Sequence, residues 1–211
     1  MMQYDTLFNN PYERRRITYS HVWWDDAFTN DELKFIEELC EKENLEEGTL
    51  VGGHNNDETK KVRNSKIKFF YKNEENGFVF DKLNYVAQSL NNQFYNFNLN
   101  GYDSFQYTVY DSKEEGKYVW HMDTVMDGDV GTMQSQETRK LSLILLLSDP
   151  DIDFTGGELQ LNLGREDIAK TVEMPRGRIV AFPSWMIHQV KPVLSGIRKS
   201  IVVWIEGPKF I

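Results

Sequence analysis

Beyond Gly101 the chain breaks into short β-forming runs closed by turn residues, and this punctuation limits the fold more than any other feature. The runs fall at 103–110, 117–122, 139–148, 157–163, 168–173, 177–182, 186–193 and 197–205. Gly156-Gly157, Pro175 with Gly177, Pro183 with Ser184, and Ser195-Gly196 stand at turns. A series of strands after a helical preface suits a double-sheet jelly-roll (cupin-like) barrel with helices packed on one sheet. The fold class is therefore mainly β with a helical preface (α+β), and eight strands fit the barrel.

The preface carries its own signals. Residues 17–24 are rich in β-formers, and Thr29-Asn30-Asp31-Glu32 is a capping box. The helix it opens sets Leu33, Ile36, Leu39 and Cys40 on one stripe. Residues 45–61 read as a loop with Gly48, Gly52, Gly53 and Asn55-Asn56, residues 62–71 as a strand, and residues 78–94 as a second helix turning Leu83, Val86, Leu90 and Phe94 inward. The whole, 1–211, reads as a single domain, with 1–100 as preface and 101–208 as jelly-roll core.

Composition narrows the function. A formal net charge of −9 argues against a nucleic-acid binder, which needs a basic face to displace counterions. The single cysteine, Cys40, excludes an internal disulfide and a Cys-rich zinc module, and reads as a buried inert thiol. The longest apolar run, Leu143 to Leu147, is far short of a membrane span, and no apolar segment follows the N-terminal charges. The expectation is a reducing, cytoplasmic protein with no membrane or nucleic-acid partner; oligomeric state stays open.

Within the barrel runs, His121-Met122-Asp123 places an imidazole and a carboxylate on one face, because strand side chains alternate with period two. His188, in the apolar stretch Trp185 to Val190 after the Pro183-Ser184 turn, supplies a third donor. Two histidines and one carboxylate on one side of an octahedron leave the opposite positions open, which suits non-haem Fe(II) oxygen chemistry. For His188 alone, a hydrogen bond to a backbone carbonyl is the competing explanation. Arg198, Ser200, Val202 and Trp204 share a strand face, and the Arg198 guanidinium can grip a carboxylate with two parallel bonds while Ser200 adds a third. A surface salt bridge is the alternative for Arg198 and the expectation for Lys199. His54, Asp127 and Asp129 read as solvated loop residues. The polar stretch 124–138 reads as a lid or substrate-contact loop.

These segments also carry a resemblance. Tyr118 to Asp123, Arg139 to Pro150, Gly156-Gly157-Glu158-Leu159, Gly177 to Ser184 with His188, and Arg198 to Trp204 resemble, in order and spacing, the prolyl 4-hydroxylase-like group of 2-oxoglutarate/Fe(II) dioxygenases. Bacterial PKHD-type hydroxylases are similar through Leu147-Ser148-Asp149-Pro150 and the Gly-Gly-Glu-Leu stretch. The resemblance covers roughly half the chain, from Gly101 to Pro208. It implies a double-stranded β-helix in which His121, Asp123 and His188 bind Fe(II), Arg198 holds the distal carboxylate of 2-oxoglutarate, and Tyr110 (or Tyr107) contacts the cofactor. A second tyrosine of some members is replaced by Leu146, so Ser200 or Ser142 takes its task. Tyr118, Arg139 and Trp204 match substrate-facing positions; core packing is the alternative for the two aromatics and a surface ion pair for Arg139. The implied reaction is hydroxylation of an unactivated C–H bond, with L-ascorbate as reductant. A prolyl residue of a protein or peptide is the expected substrate, a free amino acid or other small molecule the second option. A metal-binding jelly-roll module without oxygenase activity is the rival from another class.

Overall fold

β1 (Val22–Trp24) and α1 (Asn30–Glu41) open the computed structural model, which describes residues 19–50, 57–124 and 137–209. α1 starts where the capping box requires. Thr29 Oγ1 accepts the Glu32 N–H at 3.2 Å, and the Glu32 carboxylate accepts the Thr29 N–H at 2.7 Å. Its buried stripe is Leu33, Ile36, Leu39 and Cys40, as the periodicity predicts. Next come β2 (Glu46–Glu47), α2 (Asp57–Val62), β3 (Arg63–Asn64), β4 (Lys66–Tyr71) and α3 (Gly77–Leu90).

The expected loop at 45–61 thus contains a two-residue strand and most of a six-residue helix, both too short to leave a periodic signal. Residues 51–56, including His54, lie outside the described residues. The expected single strand at 62–71 is two, parted at Ser65: β3 belongs to one sheet and β4 to the other. The expected helix to Phe94 ends as α-helix at Leu90 and continues as one π-helical turn, Asn91–Tyr95, closed by left-handed Asn96.

The barrel strands follow: β5 (Ser104–Asp111), β6 (Lys117–His121), β7 (Glu137–Leu146), β8 (Phe154–Gly156) and β9 (Leu159–Leu161). Then come β10 (Lys170–Thr171), β11 (Ile179–Pro183), β12 (His188–Val190) and β13 (Val193–Pro208). They form two antiparallel sheets of a double-stranded β-helix. The major sheet runs β1-β11-β7-β13-β5-β4-β2, with β8 beside the start of β13; the minor sheet runs β10-β9-β12-β6-β3. Ser195-Gly196, expected as a turn, lies within β13 instead. Gly196 takes φ +72°, and a register shift between Val193 and Ser195 releases the strand from β8 onto β5 and β7.

Period two divides the major sheet into two faces. Leu141, Leu143, Leu145, Ile201, Val203, Ile205, Phe105 and Tyr107 pack against the buried stripes of α1 and α3. Ile144, Leu146, Val180, Phe182 and Tyr110 turn inward to meet Leu159, Leu161 and Val190 of the minor sheet. Burying a side chain of this kind stabilises by about 1.5–3 kcal/mol, so the two layers hold the central strands from both sides. That is why β7 reads as a continuous apolar run rather than an alternating one.

Candidate active site

The barrel interior opens onto a cavity lined by residues of both sheets, among them His121, Asp123, His188, Arg198, Ser200, Tyr110, Tyr118 and Trp204. His121 ends β6 and pairs in register with His188 at the start of β12, so the minor sheet sets the imidazoles side by side, ring centroids 4.1 Å apart. Asp123 follows β6 by two residues. Its N–H and that of Thr124 donate to the Ser184 carbonyl at 2.9 and 3.2 Å.

Donor atoms of His121, Asp123 and His188 lie within 4.8 Å of one another. His121 Nε2 is 3.7 Å from Asp123 Oδ1, and His188 Nε2 is 3.6 Å from Asp123 Oδ2. Both Nδ1 atoms face carbonyls, at 2.8 Å (Val119) and 2.9 Å (Met186). A carbonyl only accepts, so each Nδ1 carries the proton and each Nε2 offers its lone pair to the common centre, an orientation typical of metal-ligating histidines. The expected carbonyl bond of His188 therefore exists alongside the cluster and orients it.

Electrostatics agree with that geometry. Burial, with the neighbouring His188, pushes His121 down to about 3, so its imidazole is neutral at pH 7. Burial of Asp123 opposes its ionisation, but His188, His121 and the Ser142 hydroxyl outweigh it and hold the carboxyl below its usual range. The Trp204 indole N–H is buried without a partner at hydrogen-bond distance, yet stands close enough to Asp123 to favour its charge as well.

Arg198 is 2% exposed, and no carboxylate among the described residues pairs with it. Its Nη1 donates to Ser200 Oγ at 3.1 Å, and its guanidinium sits 5.7 Å from the centre of the Tyr110 ring. Burial lowers its proton affinity and pushes the Tyr110 phenol up, leaving Tyr110 a neutral hydroxyl. Leu146 pairs with Ser200 across β7 and β13 and forms an apolar wall there. Of the two alternatives for the missing tyrosine's task, Ser200 touches Arg198, whereas Ser142 donates to Asp123 at 2.7 Å. Tyr107, the alternative to Tyr110, is buried on the helix side and does not reach the cavity.

Tyr118 stacks on His121 at 3.4 Å, and the Arg139 guanidinium lies 4.1 Å over the Trp204 ring. Tyr118 and Trp204 line the cavity, Tyr118 also packing against the inner apolar cluster, and Arg139 joins Trp204 in an adjacent groove. Lys199 pairs with Glu37 and Glu41 on the outside, as expected. Of the 124–138 loop, residues 125–136, with Asp127 and Asp129, lie outside the described residues, while its ends meet where Thr124 and Thr138 hydroxyls lie 3.1 Å apart.

Three residues went unread in the sequence, Arg63, Gln106 and Ser184, and the place of Ser142 beside Asp123 was not foreseen. Arg63 lies over Tyr118 at 4.9 Å, and buried Gln106 lines the cavity. Ser184 and Ser142 brace Asp123. Gln106 and Ser142 share strand parity with Tyr110 and Leu146, a signal that was available. Nothing local marks Arg63 or Ser184, since their placement depends on the crossing at Ser65 and the turn after β11.

The donor set, and a buried Arg198 that pairs with no carboxylate among the described residues, fit Fe(II) and a dicarboxylic 2-oxo acid. Residues 105–206, just under half of the chain, match the family described as the 2OG-Fe(II) oxygenase superfamily, and the double-stranded β-helix and the His-Asp-His donor set both lie in that matched part. More particularly, the chain is similar to a PKHD-type hydroxylase of Synechococcus sp., 39% identical over 90 residues covering 43% of this chain and 36% of that protein. The chain thus aligns with about a third of the length of such curated relatives. Among solved structures, a Pseudomonas putida prolyl-4-hydroxylase superposes with TM-score 0.69 at 19% identity, covering 91% of this chain and 95% of that one. A Trichoplax adhaerens prolyl hydroxylase, in complex with a hypoxia inducible factor oxygen degradation domain peptide fragment, also reaches 0.69 at 18%, covering 88% and 83%. At these identities the superpositions speak to the fold.

Proposed function

We propose that the protein is a 2-oxoglutarate- and Fe(II)-dependent dioxygenase that hydroxylates an unactivated C–H bond, with a prolyl residue of a protein or peptide as substrate. One observation carries this reading: the Arg198 guanidinium, buried with no carboxylate paired to it among the described residues, shares a cavity with two histidines and a carboxylate. An isolated buried charge is costly to a fold, so a site that keeps one has an anionic ligand to pair with it. A metal-only jelly-roll module accounts for the three donors but not for Arg198.

His121, Asp123 and His188 would hold the metal, and Arg198 with Ser200 and Tyr110 the cofactor. Bound there, the metal and 2-oxoglutarate supply activation of dioxygen, coupled to decarboxylation of the oxo acid to succinate. The chain's own part is placement. The carbonyls of Val119 and Met186 keep both Nε2 atoms aimed inward. Ile144, Leu146, Val190 and Val202 exclude water from the interior. Tyr118, Arg139 and Trp204 would seat the substrate.

The peptide reading is supported by the groove that continues past Trp204 and Arg139 along Phe69, Tyr102, Asp103 and Glu206. It crosses the neighbouring strands β7, β13, β5 and β4 at one end of the major sheet, a span that suits an extended chain better than a free amino acid, which remains the second reading. Ascorbate would serve as reductant, and a cytoplasmic, reducing setting would suit the iron.

The test is an anaerobic titration of 2-oxoglutarate into the Fe(II)-loaded protein, followed at the visible metal-to-ligand charge-transfer band. The expected result is a saturable band that in Arg198→Ala needs about 30-fold more cofactor, the equivalent of roughly 2 kcal/mol. Stoichiometric iron binding with no band would sink the oxygenase reading. Mass spectrometry of proline-containing peptides incubated with the complete system, set beside free proline, then separates the two substrate classes.

A further inference from the structure

A carboxamide stands in the cavity wall with its oxygen unused. Gln106 of β5 is 3% exposed and lines the cavity, and its Nε2 donates at 2.7 Å to the hydroxyl of Thr108, itself 1% exposed. That bond ties the nitrogen to the strand and points the carbonyl oxygen, Oε1, elsewhere. Among the described residues no donor reaches Oε1. The oxygen therefore opens onto the cavity, where only what enters can meet it.

Its place in the sheet narrows what that can be. Gln106 pairs in register with Val202 of β13 on one side and with Phe69 of β4 on the other. Along the inner face of β13, Arg198 and Ser200 lie further in, and Trp204 lies toward the mouth. Trp204 lines both the cavity and the groove, and its ring centre is 6.4 Å from that of Phe69, also in the groove. Gln106 thus stands where the groove enters the cavity. The 2-oxoglutarate that Arg198 would hold offers acceptors only, two carboxylates and a keto oxygen. An amide oxygen forms no hydrogen bond with any of them, so the donor for Oε1 comes with the substrate.

We infer that Gln106 is a specificity-determining residue for the proposed hydroxylation, its carbonyl oxygen accepting a main-chain N–H of the peptide beside the target proline. A prolyl nitrogen within a chain carries no hydrogen. The N–H nearest the ring is that of the following residue, one carbonyl beyond it. Where that N–H is missing, as in a second proline, Oε1 stays unpaired and the peptide is refused. The substrate class is therefore peptides whose target proline is followed by a residue with a free N–H. The inference rests on the peptide reading above.

Its test uses two pools of peptides with one proline and randomised outer flanks. They differ only in the residue after the proline, alanine in one and N-methylalanine in the other. Each is incubated with Fe(II), 2-oxoglutarate and dioxygen, and hydroxylated product is read by mass spectrometry. Wild type is expected to favour the alanine pool roughly tenfold or more. Gln106→Met, similar in length but without the acceptor, should discriminate less than about threefold. The methyl group restricts the peptide backbone equally for both proteins. Discrimination that persists in Gln106→Met therefore comes from peptide shape and overturns the inference, as do equal rates in wild type. Anaerobic titration of the charge-transfer band should give Gln106→Met the wild-type affinity for 2-oxoglutarate. A tenfold loss there would make Gln106 a cofactor residue and overturn the inference as well. Should Gln106→Met prove unfolded or inactive, Thr108→Val decides: it frees Nε2, lets the amide turn over, and should reduce the discrimination, whereas an unchanged ratio overturns the inference. No hydroxylation of either pool is a different pattern, one that removes the peptide reading and the inference with it.

Discussion

Arg198 and Cys40 show how one physical fact, burial, produces opposite outcomes. The Cys40 thiol is 0% exposed, and burial, reinforced by nearby glutamates, raises its proton affinity, so it is inert and serves only as a small apolar side chain. Arg198 keeps a charge in the interior with no carboxylate paired to it among the described residues, its guanidinium meeting Ser200 and the Tyr110 ring. Such a residue is retained for what it binds and at the expense of the empty fold. Replacing it by methionine, similar in length and apolar, is therefore expected to stabilise the ligand-free protein by about 1 kcal/mol or more. The same variant should lose all protection by 2-oxoglutarate. Thermal melts with and without the oxo acid check both halves, and a less stable ligand-free variant would refute the first.

Among the elements, β13 bears the most consequence, because it pairs with β8, β5 and β7 in turn. The exchange of partners happens at Gly196, where φ is +72° and a Cβ would stand 1.9 Å from the Asp153 carbonyl oxygen. Gly164 also has a positive φ, +121°, but open space around it. Gly164→Ala should therefore cost only backbone strain, about 1–2 kcal/mol. Gly196→Ala adds a collision with main chain and should cost at least twice that, measured by urea unfolding. Equal costs would mean that β13 can shift around the site. The glycine was visible in the sequence as a turn signal; its use inside a strand was not, because a bulge and a turn call for the same residue.

At the scale of the molecule, the proposed metal site joins the two sheets. His121 and His188 stand on the minor sheet, while Asp123 is braced by Ser142 of β7 and by Ser184 just past β11, both on the major-sheet side. A metal bound to all three ties one layer to the other and stabilises the native state by linkage. At a hundredfold excess over its dissociation constant, Mn(II) should add about 2.7 kcal/mol, raising the melting midpoint by roughly 5–10 °C. Chelator should reverse the shift, and His188→Ala should abolish it. A wild-type midpoint indifferent to Mn(II) would contradict the arrangement. Among the described residues no helix is long and apolar enough to cross a membrane.

What could be read from the residues alone was whatever depends on local chemistry and strand parity. The capping box before α1 follows from residue type, and the buried stripes of α1 and α3, the barrel strands other than β8 (Phe154–Gly156), and the shared face of Arg198, Ser200 and Trp204 follow from periods of 3.6 and 2. His121, Asp123 and His188 were legible as a set because metal-ligating residue types are few and their spacing returns them to one mouth. The tertiary structure alone decided what rests on which strands become neighbours. It turned Ser142 toward Asp123 rather than the cofactor, sent Tyr107 to the helices, and broke residues 62–71 between two sheets so that Arg63 entered the cavity. Parity assigns a side chain to a face, but only the pairing of distant strands determines which groups that face will meet.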